Sequence, residues 1–201
     1  MSAVVLDEAD RMLDMGFIHD MKKILSATPD NRQTLFFSAT MNPAAKQLAH
    51  DFLNDPVIVS VKKKDVTDSI AQDVVRYNPS SKLDTLVNLF NDSEFKKVII
   101  FGAMKHSVEK LSKDLQKSGV NATSIHGNKS HGQRQRSLTA FKKGDARVLV
   151  ATDVAARGIH VDDVSHVINY DLPQAFEDYV HRIGRTGRGT KKGKALTFVT
   201  N

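Results

Sequence analysis

The sequence predicts an α/β fold, a parallel sheet flanked by helices, and three observations carry that prediction. Short apolar runs recur along the chain: Val4–Leu6, Thr34–Phe37, Val57–Val61, Val98–Phe101, Ala122–Ile125, Val148–Val150, His166–Asn169 and Ala195–Val199. Strands that read as nearly continuous apolar runs are buried on both faces, as strands are in a parallel sheet covered by helices on both sides. Segments with apolar residues at helical spacing lie between the runs, and 201 residues with 40% hydrophobic content suffice for a real core.

Taken in chain order, the first strand is Val4–Leu6 and the second Thr34–Phe37. Asn42 followed by Pro43 reads as an N-cap and first-turn pair, after which Leu48, Phe52 and Leu53 form an apolar stripe. The run Lys62–Ser69 is charged, poor in apolar residues and without periodicity, so residues 62–69 read as a linker. Beyond it, Leu83, Leu86, Val87 and Phe90 make a second helical stripe and Val108, Leu111 and Leu115 a third. Residues 70–201 hold enough strand candidates to close a compact domain. Residues 1–61 offer only three, so they read as the C-terminal remnant of a larger domain whose upstream half is missing, with exposed edges that favour self-association.

The formal charge of +6 favours a polyanionic partner, and its distribution says more than its total. From His181 to Asn201 there are six basic residues and no acidic one. The chain has no cysteine, which excludes disulfides, thiolate metal sites and a cysteine nucleophile. With neither a basic, apolar leader nor an apolar run long enough to span a bilayer, the sequence reads as cytoplasmic with no membrane association.

Val4-Val5-Leu6-Asp7-Glu8-Ala9-Asp10 puts carboxylates at the end of a buried strand, where parallel α/β folds place their ligands. Asp7 suits Mg²⁺ held through water, and Glu8 suits orienting an attacking water. The same acids could instead complement the dipole of the following helix. Ser38-Ala39-Thr40 follows another strand, and Ala151-Thr152-Asp153-Val154-Ala155-Ala156-Arg157-Gly158 a third. His181-Arg182-Ile183-Gly184-Arg185-Thr186-Gly187-Arg188-Gly189 spaces three arginines by three residues among glycines, a pattern of planar donors able to fork onto phosphate oxygens.

Together these motifs resemble the DEAD-box RNA helicases of superfamily two over essentially the whole chain. Asp14-Met15-Gly16-Phe17 and His126-Gly127-Asn128-Lys129-Ser130 are most similar to the bacterial RhlE-like branch. The resemblance implies a RecA-like helicase C-terminal domain preceded by a truncated piece of an N-terminal RecA-like domain, with ATP and Mg²⁺ between the two and RNA clamped across the top. It assigns Asp7 and Glu8 to the metal and the attacking water, and Arg185 and Arg188 to arginine fingers. His181 becomes the link to the acidic motif across the cleft, and Gly158 and His160 line the nucleotide. Ser38, Thr40 and Asp10 fall at positions that couple the nucleotide state to RNA, while Gly127, Arg134 and Thr152 fall on the RNA backbone, where contacts carry little sequence information.

The sequence departs from the family pattern in several places. No Gly-x-x-x-x-Gly-Lys-Ser/Thr phosphate loop occurs in the chain, so hydrolysis by this chain alone is not expected. His160 stands where the family places a ribose-accepting Asp, and neutral imidazole accepts at only one nitrogen. Met104 and His131 replace a hydroxyl and a Gln of the pattern. The alternative to a helicase part is a non-catalytic RNA-binding or interaction module from a shortened gene.

Overall fold

A computed structural model describes all residues except Met15, Thr40, Asn42, 61–68 and 188–191, and at Arg11, Asp14 and Ala44 it describes the backbone alone. The chain forms two compact units, Met1–Val61 and Lys62–Asn201.

The first unit runs β1 (Ala3–Leu6), α1 (Ala9–Asp14), α2 (Ile18–Ser26), β2 (Gln33–Phe36) and α3 (Pro43–Phe52). β1 and β2 pair in parallel from Ala3↔Gln33 to Leu6↔Phe36. Leu6 and Phe36 join Ala9, Met21 and Leu48 in a small core on one face of this pair. On the other face Val5 and Leu35, which oppose each other in the ladder, are 57% and 40% exposed. Pro43 opens α3 as its fixed φ favours, while the expected cap Asn42 lies outside the described residues.

The strand expected at Val57–Val61 is not formed. Val57, Ile58 and Val59 are highly exposed and belong to no sheet, and Val61 lies outside the described residues. β-branched composition favours a pleated surface only where a neighbouring strand supplies one.

The second unit is a six-stranded, wholly parallel sheet in the order β3-β8-β7-β4-β6-β5. Its strands are β3 (Ile70–Tyr77), β4 (Val98–Phe101), β5 (Ala122–Ile125), β6 (Val148–Ala151), β7 (His166–Asn169) and β8 (Gly193–Thr200). Its helices are α4 (Lys82–Leu89), α5 (Lys105–Lys117), α6 (His131–Lys143), α7 (Asp153–Ala156) and α8 (Phe176–Ile183). The central strands β4, β6 and β7 are buried at every residue. Alternation explains why. Val98 and Ile100 face one core layer with Leu86, Val108 and Leu115, whereas Ile99 and Phe101 face the other with Phe141, Leu149 and Ile159.

β3 has no counterpart among the sequence's apolar runs. It pairs only with β8, and most of its residues are exposed, so it carries Gln72, Asp73 and Arg76 as an edge strand does.

Every strand of this sheet points the same way, so the segments after β4, β5, β6 and β7 all emerge at one rim. Residues 184–187, which follow α8, are held by contact rather than by pairing. Gly187 has φ of 65°, and a Cβ there would lie 2.6 Å from Ile70 Cγ1. A Cβ on Gly193, the first residue of β8, would collide with the Thr186 side chain and the Gly187 nitrogen. Ser69 Oγ completes the clamp by donating to the Gly187 carbonyl at 3.1 Å.

Candidate functional site

In the first unit the acidic motif forms the turn after β1. Glu8 adopts a left-handed φ of 50°, its amide donates to Asp7 Oδ1 at 2.9 Å, and its carbonyl accepts from Met12 as α1 begins. The backbone of this turn is stitched to the end of β2: Phe37 N donates to Leu6 O at 2.7 Å and Ala9 N donates to Phe37 O at 3.1 Å. Asp7 and Glu8 are thereby brought beside Ser38, while Asp10 is 2% exposed beneath them; Thr40 lies outside the described residues. The exposed Asp7 carboxylate offers the oxygen donors a hard cation prefers. Among the described residues no cluster of three ligating side chains exists.

In the second unit the rim is organised around Arg182. Its guanidinium forks onto Asp153, Nε to Oδ1 and Nη2 to Oδ2, both at 2.7 Å. Nη1 donates to the Asp171 carbonyl at 2.7 Å and to Asn169 Oδ1 at 3.2 Å, and the group lies 5.1 Å from the centre of the Phe101 ring. The three evenly spaced arginines are therefore not alike. Arg182 is 2% exposed and saturated by the protein, which corrects the expectation that each of the three is free to fork onto phosphate. It binds α8 to the segments after β6 and β7. Asp171 extends this framework by accepting from Lys82 Nζ at 3.0 Å and from the Ala103 amide at 2.9 Å.

Arg185, one turn further on, is half-buried, and its Nη1 donates to the Ile159 carbonyl at 3.0 Å. The arginine loop is thereby brought to the segment of Gly158, with φ of 66°, and of His160, whose ring is exposed. A hollow of about 200 Å³ is lined by residues 161–164 and by Arg185, Thr186 and Gly187, and the Thr186 hydroxyl donates to the Val164 carbonyl. His181 is half-buried in the last turn of α8, and Arg188 lies outside the described residues. Thr152 is 8% exposed and occupies the N-cap position of α7.

The third part of the rim is the loop between β5 and α6. Ser130 caps α6 with a reciprocal pair of bonds to Gln133, setting Arg134 in the first turn. Gly127 is exposed, and a Cβ there would meet only the Lys105 side chain, at 3.9 Å. Beneath the loop, Glu109 of α5 gathers Ser124 Oγ at 2.6 Å, His126 Nε2 at 3.1 Å, Lys129 Nζ at 3.2 Å and Lys113 Nζ at 3.5 Å. Lys105 Nζ holds Asn128 Oδ1 at 3.1 Å. The Ser124 hydroxyl above all, with His126 and Lys129, holds the Glu109 carboxyl at a pKa of about 2. A carboxylate depressed in the folded state stabilises above its unfolded pKa and loses that contribution as pH falls through the folded value. Glu109→Gln is therefore expected to cost about 1 kcal/mol at neutral pH, the scale of solvent-screened pairs. The deficit should shrink between about pH 4.5 and pH 2, and urea unfolding across that range checks it.

Nothing in the sequence marked Glu109, Asp153 or Asp171 as organising residues. Apart from Lys113, one turn along α5 from Glu109, the partners of these carboxylates lie 15 to 89 residues away in the chain, and the sheet order brings them together.

Comparison with known proteins places these features in context. The model described as "Helicase conserved C-terminal domain" matches residues 81–190, and that described as "DEAD/DEAH box helicase" matches residues 1–48. The DEAD-box ATP-dependent RNA helicase CshA of Bacillus subtilis is 47% identical over 200 residues, covering 99% of this chain and 40% of the relative. CshA of Geobacillus kaustophilus is 48% identical over 198 residues, 98% of this chain and 42% of the relative. The chain thus spans less than half the length of these curated relatives. Among solved structures, Saccharomyces cerevisiae Dbp5 bound to RNA and ADP BeF3 matches with a TM-score of 0.86 at 33% identity, covering all of this chain and 54% of that one. A DEAD box protein from Methanococcus jannaschii matches with a TM-score of 0.63 at 39% identity, again over the whole chain and 54% of that protein.

Proposed function

Since the chain belongs to the DEAD-box helicases and carries their helicase conserved C-terminal domain, we propose that it serves an ATP-dependent RNA helicase, one that couples ATP hydrolysis to RNA duplex unwinding or ribonucleoprotein remodelling. The observation that carries the reading is the bond from Arg185 to Ile159, which joins the arginine loop to the Gly158–His160 segment at one rim of a parallel sheet. In this reading Arg185 and Arg188 reach the γ-phosphate, and His181 links them to the acidic motif. Gly158 and His160 flank the ribose. Asp7 holds Mg²⁺ through water, Glu8 orients the attacking water, and Ser38, Thr40 and Asp10 couple nucleotide state to RNA. Bound there, Mg²⁺ would neutralise charge on the phosphates.

The phosphate loop absent from this chain is supplied by the rest of the protein. The exposed, cross-strand pair Val5 and Leu35 supports that arrangement, because a two-stranded parallel sheet with an open apolar face needs covering. The cover is the remainder of an N-terminal RecA-like domain in the complete protein, and self-association is the outcome where that cover is lacking. The curated relatives named above are CshA-type, so the branch is read as CshA-type and the RhlE-like resemblance at residues 14–17 and 126–130 is not carried further.

Gly127, Arg134 and Thr152 form the RNA side. In the complete protein, Arg134→Ala should raise the RNA concentration needed for half-maximal ATP hydrolysis about tenfold, the worth of one charge-assisted contact. Turnover at saturating RNA should stay within about twofold of the parent. A fall in saturated turnover with an unchanged RNA requirement would remove Arg134 from the RNA track.

A further inference from the structure

We infer that single-stranded RNA does not end its contact with this unit at the Gly127 loop but continues along an open groove on α6. This rests on the RNA reading of that loop. The helix holds four cations, Arg134, Arg136, Lys142 and Lys143, and no acidic residue. They do not share one face. Arg134 is half-buried near the loop, whereas His131, Gln135, Arg136 and Lys143 line a separate concavity of about 560 Å³ whose remaining helical lining is the small residues Gly132, Thr139 and Ala140. One carboxylate, Asp145, closes its far end.

The lining residues recur every four positions along α6, so the groove runs the length of the helix. From residue 131 to 143 that is about 18 Å at 1.5 Å per residue, room for about five phosphates at the 3.4 Å spacing of a stacked strand. Its near end is His131, the residue after Ser130, so a strand leaving the Gly127–Ser130 loop enters it directly. Two exposed basic side chains at its wall and end, Arg136 and Lys143, complement a phosphodiester backbone. No Phe, Tyr or Trp is among its lining residues and its one imidazole, His131, stands at the near end, so the contribution along the helix is mainly electrostatic and indifferent to sequence.

The test uses the complete protein and oligouridylates of about 6 and about 20 nucleotides, one near the short end of the roughly 4 to 16 nucleotides typical of single-strand modules and one beyond its long end. Arg136→Glu with Lys143→Glu should weaken binding of the long oligonucleotide and lower the magnitude of its salt slope by about 1.4, two phosphate contacts at about 0.7 each. Binding of the short one should be unchanged, as should the melting temperature. Arg134→Ala in the same assay should weaken both lengths. Equal binding of both lengths by the double variant, with Arg134→Ala still impaired, overturns the groove and leaves the cationic face to an acidic protein partner. If Arg134→Ala also binds normally, the RNA reading of the loop fails as well. Loss of the short oligonucleotide by the double variant alone would likewise overturn the proposal, since it would place the groove in the primary track.

Discussion

Arg182→Ala should lower the unfolding free energy of the second unit by about 3 kcal/mol, the low end of the cost of stripping one partner from a buried, hydrogen-bonded ion pair, because the guanidinium is buried but the Asp153 carboxylate keeps some contact with solvent. The alanine removes both forked bonds to Asp153, the bond to the Asp171 carbonyl and the contact with Phe101, and it leaves a carboxylate facing a space built for a guanidinium. Arg182→Lys should recover little, because an ammonium cannot make the bidentate fork. Replacing Arg182 and Asp153 together by leucines should restore part of the loss, since the buried charge then disappears with its partner. Urea unfolding, followed by amide exchange in β6 and β7, measures all three. An Arg182→Ala protein as stable as the parent, with its RNA affinity reduced instead, would return this arginine to the ligand-binding set.

Arg185→Ala should do the opposite. In the complete protein it should reduce RNA-stimulated turnover by at least about a hundredfold, within reach of the 10³ to 10⁵ that an arginine finger contributes. Stability should change less than in Arg182→Ala, because Arg185 is only half-buried, whereas Arg182 is 2% exposed and its guanidinium donates to Asp153, Asn169 and the Asp171 carbonyl. A guanidinium that meets charge developing on the γ-phosphate stabilises the transition state more than bound ATP, so the loss belongs in kcat rather than in KM for ATP. Steady-state ATPase assays at saturating RNA decide it. A normal kcat with a higher RNA requirement would show that Arg185 binds RNA.

The contrast between these neighbours shows where a sequence stops being informative. Their even spacing suggested one role, yet the first lies in α8 and the second just beyond its C-terminal end. A helical arginine that turns toward the sheet meets Asp153 and Asn169, contributed by β6 and β7 regions that no local pattern connects to it. The strands β4, β6 and β7 were legible because burial on both faces leaves little choice of residue. The edge strand β3 was not, since solvent on one side permits Gln72, Asp73 and Arg76. Val57–Val59 erred in the other direction, apolar enough for a strand but without a neighbour to pair with. The motif positions Asp7, Glu8 and Ser38 could be read because each follows a strand end. Glu109 could not, as it sits mid-helix in an ordinary amphipathic pattern and is made special by Ser124 and His126 on another element.

The close approach of Gly187 and Gly193 gives the arginine loop an unusual dependence. Neither residue has a side chain to offer a ligand, yet each is excluded from becoming alanine by atoms of Ile70 or Thr186. The aim of Arg185 is therefore inherited from the spacing between the first residues of two neighbouring strands, β3 and β8, rather than chosen by the loop itself. Interchangeability at Gly193 measures steric room, and at Gly187 steric room together with a left-handed backbone. A substitution profile of this segment would show glycine as demanding as the arginine beside it, for reasons of carpentry rather than chemistry.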